Sequence, residues 1–270
     1  MNTNYKISEL FIYPVKSLGG ISVNEAEVTD RGLKYDRRWM LVDDDNKFLT
    51  QRKHSQMALI SCELKSDNLE FTHKQSGEKF LIGLDEKENR EIDVVVWDDK
   101  VKVDCVSNEA DKWFGGILGI NCSLVRMPET SHRLVDTDYA FNKEITSLSD
   151  GYPFLIIGQS SLDDLNSKLD KKVPMNRFRP NFVFTGGEPF VEDKLKCFEI
   201  NEIKFFGVKQ CGRCIVTTIN QDNALKSEEP LRTLSSYRTI NNKVMFGMNL
   251  IHQGRGVIHV GDKIEVKEYK

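Results

Sequence analysis

The stretch Val208 to Asn220, V-K-Q-C-G-R-C-I-V-T-T-I-N, constrains this chain more than any other. Cys211 and Cys214 are separated only by Gly212 and Arg213, and the β-branched run Ile215 to Ile219 follows. Such side chains favour extended backbone, so the run predicts a strand entered from a cysteine-bearing turn. Three chemistries compete for the pair. A thioredoxin-like redox couple needs its first thiol at a helix start, which a strand does not supply. Half of a zinc site needs two further ligands at short spacing. Cys62, Cys105, Cys122 and Cys197 are scattered singly, and the five histidines form no close pair. A single reactive thiolate needs a nearby cation, and Arg213 is adjacent. Two buried small hydrophobes are the fourth reading, and it leaves Gly212-Arg213 unexplained.

The rest of the chain alternates short strand patterns with polar turns. Ile7, Leu10 and Ile12 alternate until Tyr13-Pro14 bends the backbone away. Lys16, Ser17 and the glycines Gly19-Gly20 follow. A cation, a hydroxyl and open amides in one turn suit a phosphate, and a solvated hairpin turn reads the same way. Asp43 to Asn46 is a turn between two strands, and the alternation before it sends Arg37 and Arg38 to opposite faces, one to solvent and one to a pocket. Asn108 caps a helix carrying Ala110, Trp113, Phe114, Ile117 and Leu118 on one face. The polar stretch from Met127 to Asn142 reads as a flexible loop or as the rim of a substrate entrance. An apolar strand after Pro153 leads into a helix capped by Ser160 or Ser161, with Leu162, Leu165 and Leu169 inward. Arg179-Pro180-Asn181 opens a buried strand and presents either a structural salt bridge or two ligand contacts. Pro230 starts a short helix, and the alternating end of the chain completes a β-barrel.

Composition excludes several classes. The 270 residues are 39% hydrophobic and 29% charged, which is ordinary for a globular chain with room for one large or two small domains. A formal net charge of −3 implies no general affinity for nucleic acid. The N-terminus carries no apolar leader, no run approaches the about 18 apolar residues that span a membrane, and six cysteines lack a framework spacing. These features predict a cytoplasmic protein with no membrane or nucleic-acid partner.

Several blocks together resemble MOSC-domain proteins of the type of the mitochondrial amidoxime-reducing component and its bacterial relatives. Cys-Gly-Arg-Cys is similar to the family's cysteine motif. Y-P-V-K-S-L-G-G resembles the opening of its N-terminal domain, and G-L-K-Y-D-R-R-W, S-D-G-Y-P-F and R-P-N match further blocks. The resemblance covers nearly the whole chain in order. It implies a mixed α/β, predominantly β fold: an N-terminal β-barrel-like domain over residues 1–124, packed on a MOSC-type β-barrel with a few helices over 125–270. It also implies a molybdenum–molybdopterin cofactor, with Cys214 as catalytic residue and metal ligand. Lys16, Ser17, Arg37, Ser149, Asp150, Arg179, Asn181, Gly212 and Arg213 take cofactor-contacting positions. Gly151 and Tyr152 differ from the human-type residues there, and Asn249 stands where animal relatives carry an aromatic hydroxyl.

The activity implied is reduction of N-hydroxylated compounds, amidoximes and hydroxylaminopurines, to amines with release of water. No ferredoxin-type cysteine run is present, so a separate electron-donor protein is expected. Two other classes use the same cysteine: a sulfur carrier holding a persulfide on Cys214, and a carrier of the cofactor.

Overall fold

A computed structural model of the chain describes residues 4–270; the first three residues, part of the stretch read above as lacking a leader, lie outside it. Strands hold 43% of the chain and helices 15%, which makes the fold predominantly β. Seven strands close on themselves. In spatial order they are Phe154–Gly158, Phe182–Thr185, Tyr5–Ile12, Lys263–Tyr269, Leu195–Ile200, Ile203–Arg213 and Lys243–Gln253, and the last pairs back to the first. All neighbours are antiparallel except Phe154–Gly158 with Phe182–Thr185, which the intervening helix Gln159–Asn166 makes parallel.

The alternation read at Ile7, Leu10 and Ile12 sends these residues into the barrel, where the phenyl rings of Phe154, Phe182, Phe198 and Phe205 fill the centre. Phe154 stacks on Phe182 at 5.3 Å and Phe198 on Phe205 at 5.5 Å; such pairs contribute about 0.5–1.5 kcal/mol each beyond area burial. The register slips beside Gly207, where a Cβ would lie 2.1 Å from the Leu195 carbonyl oxygen. Only glycine lets the two strands approach this closely.

The other sheets include a four-stranded one (Trp39–Val42, Ser123–Arg126, Asp99–Cys105, Glu91–Val96) and two three-stranded ones (Ile60–Lys65, Asn68–His73, Lys79–Gly83; and Gly256–His259, Glu25–Thr29, Gly32–Leu33). The helix Asn108–Leu118 lies as expected, but Ser107 rather than Asn108 accepts the capping bond, from the Ala110 amide. The sheets do not follow a division at residue 124. Tyr5–Ile12 belongs to the barrel, Glu25–Thr29 pairs with Gly256–His259, and residue 124 lies inside Ser123–Arg126. Among the described residues no helix is long and apolar enough to cross a membrane.

Three local expectations are corrected. Ile215–Thr218 is a 3-10 turn, not a strand. The Thr217 hydroxyl donates to the Cys214 carbonyl at 3.0 Å and Thr218 to Ile215 at 2.8 Å, and these back-bonds override β propensity. The strand is Ile203–Arg213 instead, which contains Cys211 and ends just before Cys214. Neither Ser160 nor Ser161 caps the helix Gln159–Asn166, which starts after Gly158. Ser161 donates to buried Glu192 at 2.8 Å and accepts from the Phe190 amide at 2.7 Å. Arg38 does not face solvent: its guanidinium reaches the Met127 carbonyl at 2.6 Å and Glu129 at 2.8 Å.

Glu192 makes stability depend on pH. Burial pushes its carboxyl up to about 7, and Oε1 has no partner. Because the folded form binds this proton more tightly than the unfolded chain, the contribution is complete below the ordinary glutamate range and is lost as pH rises through about 7. Glu192→Gln is therefore expected to exceed the parent in stability at pH 8, by up to about 3 kcal/mol, and to match it near pH 4.5. Denaturant midpoints at both pH values check this; a difference that does not vary with pH contradicts it.

Candidate functional site

A cavity of about 1330 Å³ opens where the barrel meets the N-terminal sheets. It is larger than the roughly 300–1,000 Å³ typical of small-molecule sites. Eight lysines and arginines line it against three aspartates, although the whole chain is net negative. That local excess suits a polyanion.

The cations are held from behind. Tyr13, buried at the end of the first barrel strand, packs against the guanidinium groups of both Arg37 and Arg179, each 4.3 Å from its ring centroid. Its hydroxyl donates to the Pro180 carbonyl at 3.1 Å. Burial pushes this phenol up to about 12, so it stays neutral. Arg37 also donates to buried Asp36 at 2.6 Å and to Asn181 Oδ1 at 3.2 Å. Asn181 is itself committed on both sides, accepting from the Leu155 amide and donating to the Phe11 carbonyl at 3.2 Å each. Arg179 donates to the Leu18 carbonyl at 2.7 Å, and burial brings it down to about 10, still charged at neutral pH.

Ser17, Arg37 and Arg179 all have left-handed backbone, with φ of 68°, 50° and 55°. Non-glycine residues reach this region at a cost of about 1–3 kcal/mol, and such strain gathers at functional sites. Gly19 and Gly20 serve packing rather than ligand approach. The Gly19 amide donates to Ile60 at 3.0 Å, and a Cβ on Gly20 would lie 2.4 Å from the Tyr13 ring. Gln51 donates to the Ser17 carbonyl at 2.8 Å and pairs with Gln221, which ties Ser17 to the loop after the cysteines.

Lys16 is buried and donates to Asp150 at 2.6 Å. Burial holds its ammonium below the ordinary value while Asp150 pulls the other way. On Asp150 desolvation acts upward, but Lys16, the Trp97 indole N–H and Arg37 together hold it well below the usual carboxylate range. Ser149 faces inward, sharing a hydrogen bond with Thr146 at 2.7 Å and donating to the Tyr152 carbonyl at 2.9 Å.

Cys214 is exposed and lines the cavity with Cys211 and Gly212. Arg213 does not sit on Cys214 as expected. It donates to Cys211 Sγ at 2.9 Å and to the Phe178 carbonyl at 2.6 Å. Among the described residues no three of His, Cys, Asp and Glu gather as a metal cage.

Arg133 and Trp97 escaped the sequence reading. Buried Arg133 pairs with Asp99 at 2.7 Å and donates to the carbonyls of Ser147, Ser149 and Asp150, shaping the segment that carries Asp150. Trp97 donates to Asp150 at 3.2 Å, packs at a tilt against Phe48 at 5.3 Å and lies under Arg52 at 4.5 Å. Arg133 stood in the polar stretch after Met127, whose Tyr139 does line the cavity.

Comparison with known proteins places this arrangement. The MOSC N-terminal beta barrel domain family matches residues 4–121, and the MOSC domain family matches 143–265. The chain is 30% identical to mitochondrial amidoxime-reducing component 1 of Mus musculus, over 96% of this chain and 81% of that one. It is 32% identical to mitochondrial amidoxime reducing component 2 of Homo sapiens, over 96% and 82%. It is also 32% identical to the molybdenum cofactor sulfurase of Oryza sativa, over 92% of this chain but only 32% of that longer protein. The chain belongs to the MOSC family, in the form that joins an N-terminal β-barrel domain to a MOSC domain.

Arg133→Ala leaves three carbonyls and Asp99 without their donor. It is expected to destabilise by roughly 2–4 kcal/mol and to speed amide exchange across residues 147–150 selectively. Unchanged exchange there contradicts the positioning role.

Proposed function

We propose that the cavity holds molybdenum–molybdopterin, with Cys214 as the metal's protein ligand, and that the protein reduces N-hydroxylated compounds to amines. The observation that carries this reading is an exposed thiol opening into the same cavity as Lys16, Arg37 and Arg179. The residues fit such a group. A soft thiolate suits a metal already bound by sulfur, the surplus cations suit a phosphate, and the buried Nε of Arg213 and hydroxyl of Tyr152 lie in the cavity wall without partners.

Each part of the wall then has a task. Arg37 presents the planar fork that holds phosphate oxygens, and Tyr13, Asp36 and Asn181 fix its direction. Lys16 and Ser17 approach the same end, with Asp150 keeping the lysine oriented. Arg179 adds positive charge at the strand entry. Arg213 steadies the cysteine turn through Cys211 and Phe178, leaving Cys214 free to coordinate. When bound, the cofactor supplies the two-electron chemistry. Cleaving the N–O bond of an amidoxime takes two electrons and two protons, giving the amidine and water. The electrons come from a separate donor protein, and the protons enter from solvent through the open side of the cavity. The small N-hydroxylated substrate enters beside Tyr139 and Asn249, where Lys209 sets the local charge.

Protein purified from a molybdenum-replete host is expected to contain stoichiometric molybdenum and pterin and to reduce benzamidoxime with an artificial electron donor. Cys214→Ser should lose that activity while remaining folded. Arg37→Gln should weaken cofactor retention about ten- to a hundredfold, the loss of one charge-assisted contact. Pterin without turnover would favour a cofactor carrier. A persulfide on Cys214 with neither metal nor pterin would overturn the reductase in favour of sulfur transfer.

A further inference from the structure

A second, smaller cavity of about 140 Å³ lies on the other face of the segment that carries Arg37. Arg38, Trp39, Arg126, Lys34 and Glu129 are in its wall. Three buried donors in that wall have no acceptor: Arg38 Nε, the Trp39 indole Nε1 and Arg126 Nε. Trp39 is fully buried, and the Arg126 guanidinium lies 5.7 Å from its ring centroid. A buried N–H without an acceptor is strongly penalised and rare, so three in one wall call for a common partner.

The protein's own carboxylates leave these donors unmet. Glu129 takes Arg38 Nη1 at 2.8 Å, Asp85 takes Arg126 Nη2 at 3.1 Å, and Glu27 takes Lys34 at 2.8 Å. Each contact uses a terminal nitrogen and leaves the two arginine Nε–H groups and the indole free. A single water has two lone pairs, fewer than the three donors present. A tetrahedral or planar oxyanion offers acceptors enough for all three donors on one small group, and its bonds to Arg38 and Arg126 would be charge-assisted.

We infer that this cavity is a second anion site, which binds a small oxyanion, phosphate or carboxylate, through Arg38, Arg126 and the Trp39 indole. The site is distinct from the large cavity. Arg37 and Arg38 are neighbours, yet Arg37 lines one cavity and Arg38 the other. An anion here would also tie Arg126, at the end of its strand, to the segment that presents Arg37.

The test is a titration of the full chain with inorganic phosphate at constant ionic strength, following the Trp39 indole N–H resonance. Phosphate is expected to shift that resonance saturably. Arg126→Gln and Arg38→Gln should each weaken binding at least about tenfold, and Arg126→Lys less so. Arg37→Gln, which alters the large cavity, should leave the Trp39 response in place. A parallel titration with acetate assigns the ligand: weaker binding than phosphate marks a phosphate site, and equal binding marks a general oxyanion site. No saturable shift with either anion, a response unchanged in both Arg126 variants, or one abolished by Arg37→Gln and so reporting an adventitious ion in the large cavity, would each overturn the inference. Folding of every variant is read from the remaining amide spectrum.

Discussion

Two guanidinium groups set against one buried tyrosine ring organise this protein. Arg37 and Arg179 come from segments 142 residues apart, and Tyr13 brings them to a common place. Like charges at this spacing repel, so the arrangement needs the ring's negative faces, the Asp36 carboxylate beside Arg37 and the rigid strand ends that carry all three. The backbone strain at Ser17, Arg37 and Arg179 belongs to the same arrangement. The barrel end and the segments packed on it hold these three residues in left-handed geometry. Preorganised positive charge of this kind lets a polyanion bind without first rearranging the site.

Topology explains why the site sits where it does. The chain's first strand completes a barrel otherwise built from its second half, and the turn leaving that strand carries Tyr13, Lys16 and Ser17 to the barrel's open end. Arg37 returns from the N-terminal sheets, and Arg179 and Cys214 arrive from barrel strands. Lys16 and Asp150 meet across 134 residues, and Gln51 and Gln221 across 170. The cavity is a seam between the two halves of the sequence, and neither half contains it alone.

Much of this was legible in the sequence, and the failures have physical causes. Period-two alternation gave the barrel strands, because one face of each is buried in phenyl rings. The helix at residues 108–118 announced itself by its apolar stripe, despite two glycines. The blocks around Lys16, Arg37, Asp150, Arg179 and Cys214 marked residues that the fold then brought to one cavity. Propensity failed at Ile215–Thr218, where threonine hydroxyls turn the backbone that their β-branching suggests should extend. Adjacency failed at Arg213, whose side chain reaches Cys211 rather than Cys214. Arg133 and Trp97 were missed because their partners are tertiary: a polar loop residue and a hairpin tip give no local sign that both converge on Asp150.

The central claim is that the cationic cradle around Tyr13 and the thiol of Cys214 serve one molybdenum-bearing ligand. A crystal structure of protein from molybdenum-replete cells, with anomalous data at the molybdenum edge, tests it most directly. The account predicts a single molybdenum peak within bonding distance of Cys214 Sγ, with phosphate density against Arg37. A peak elsewhere, or an occupied cavity with no metal at Cys214, would contradict it.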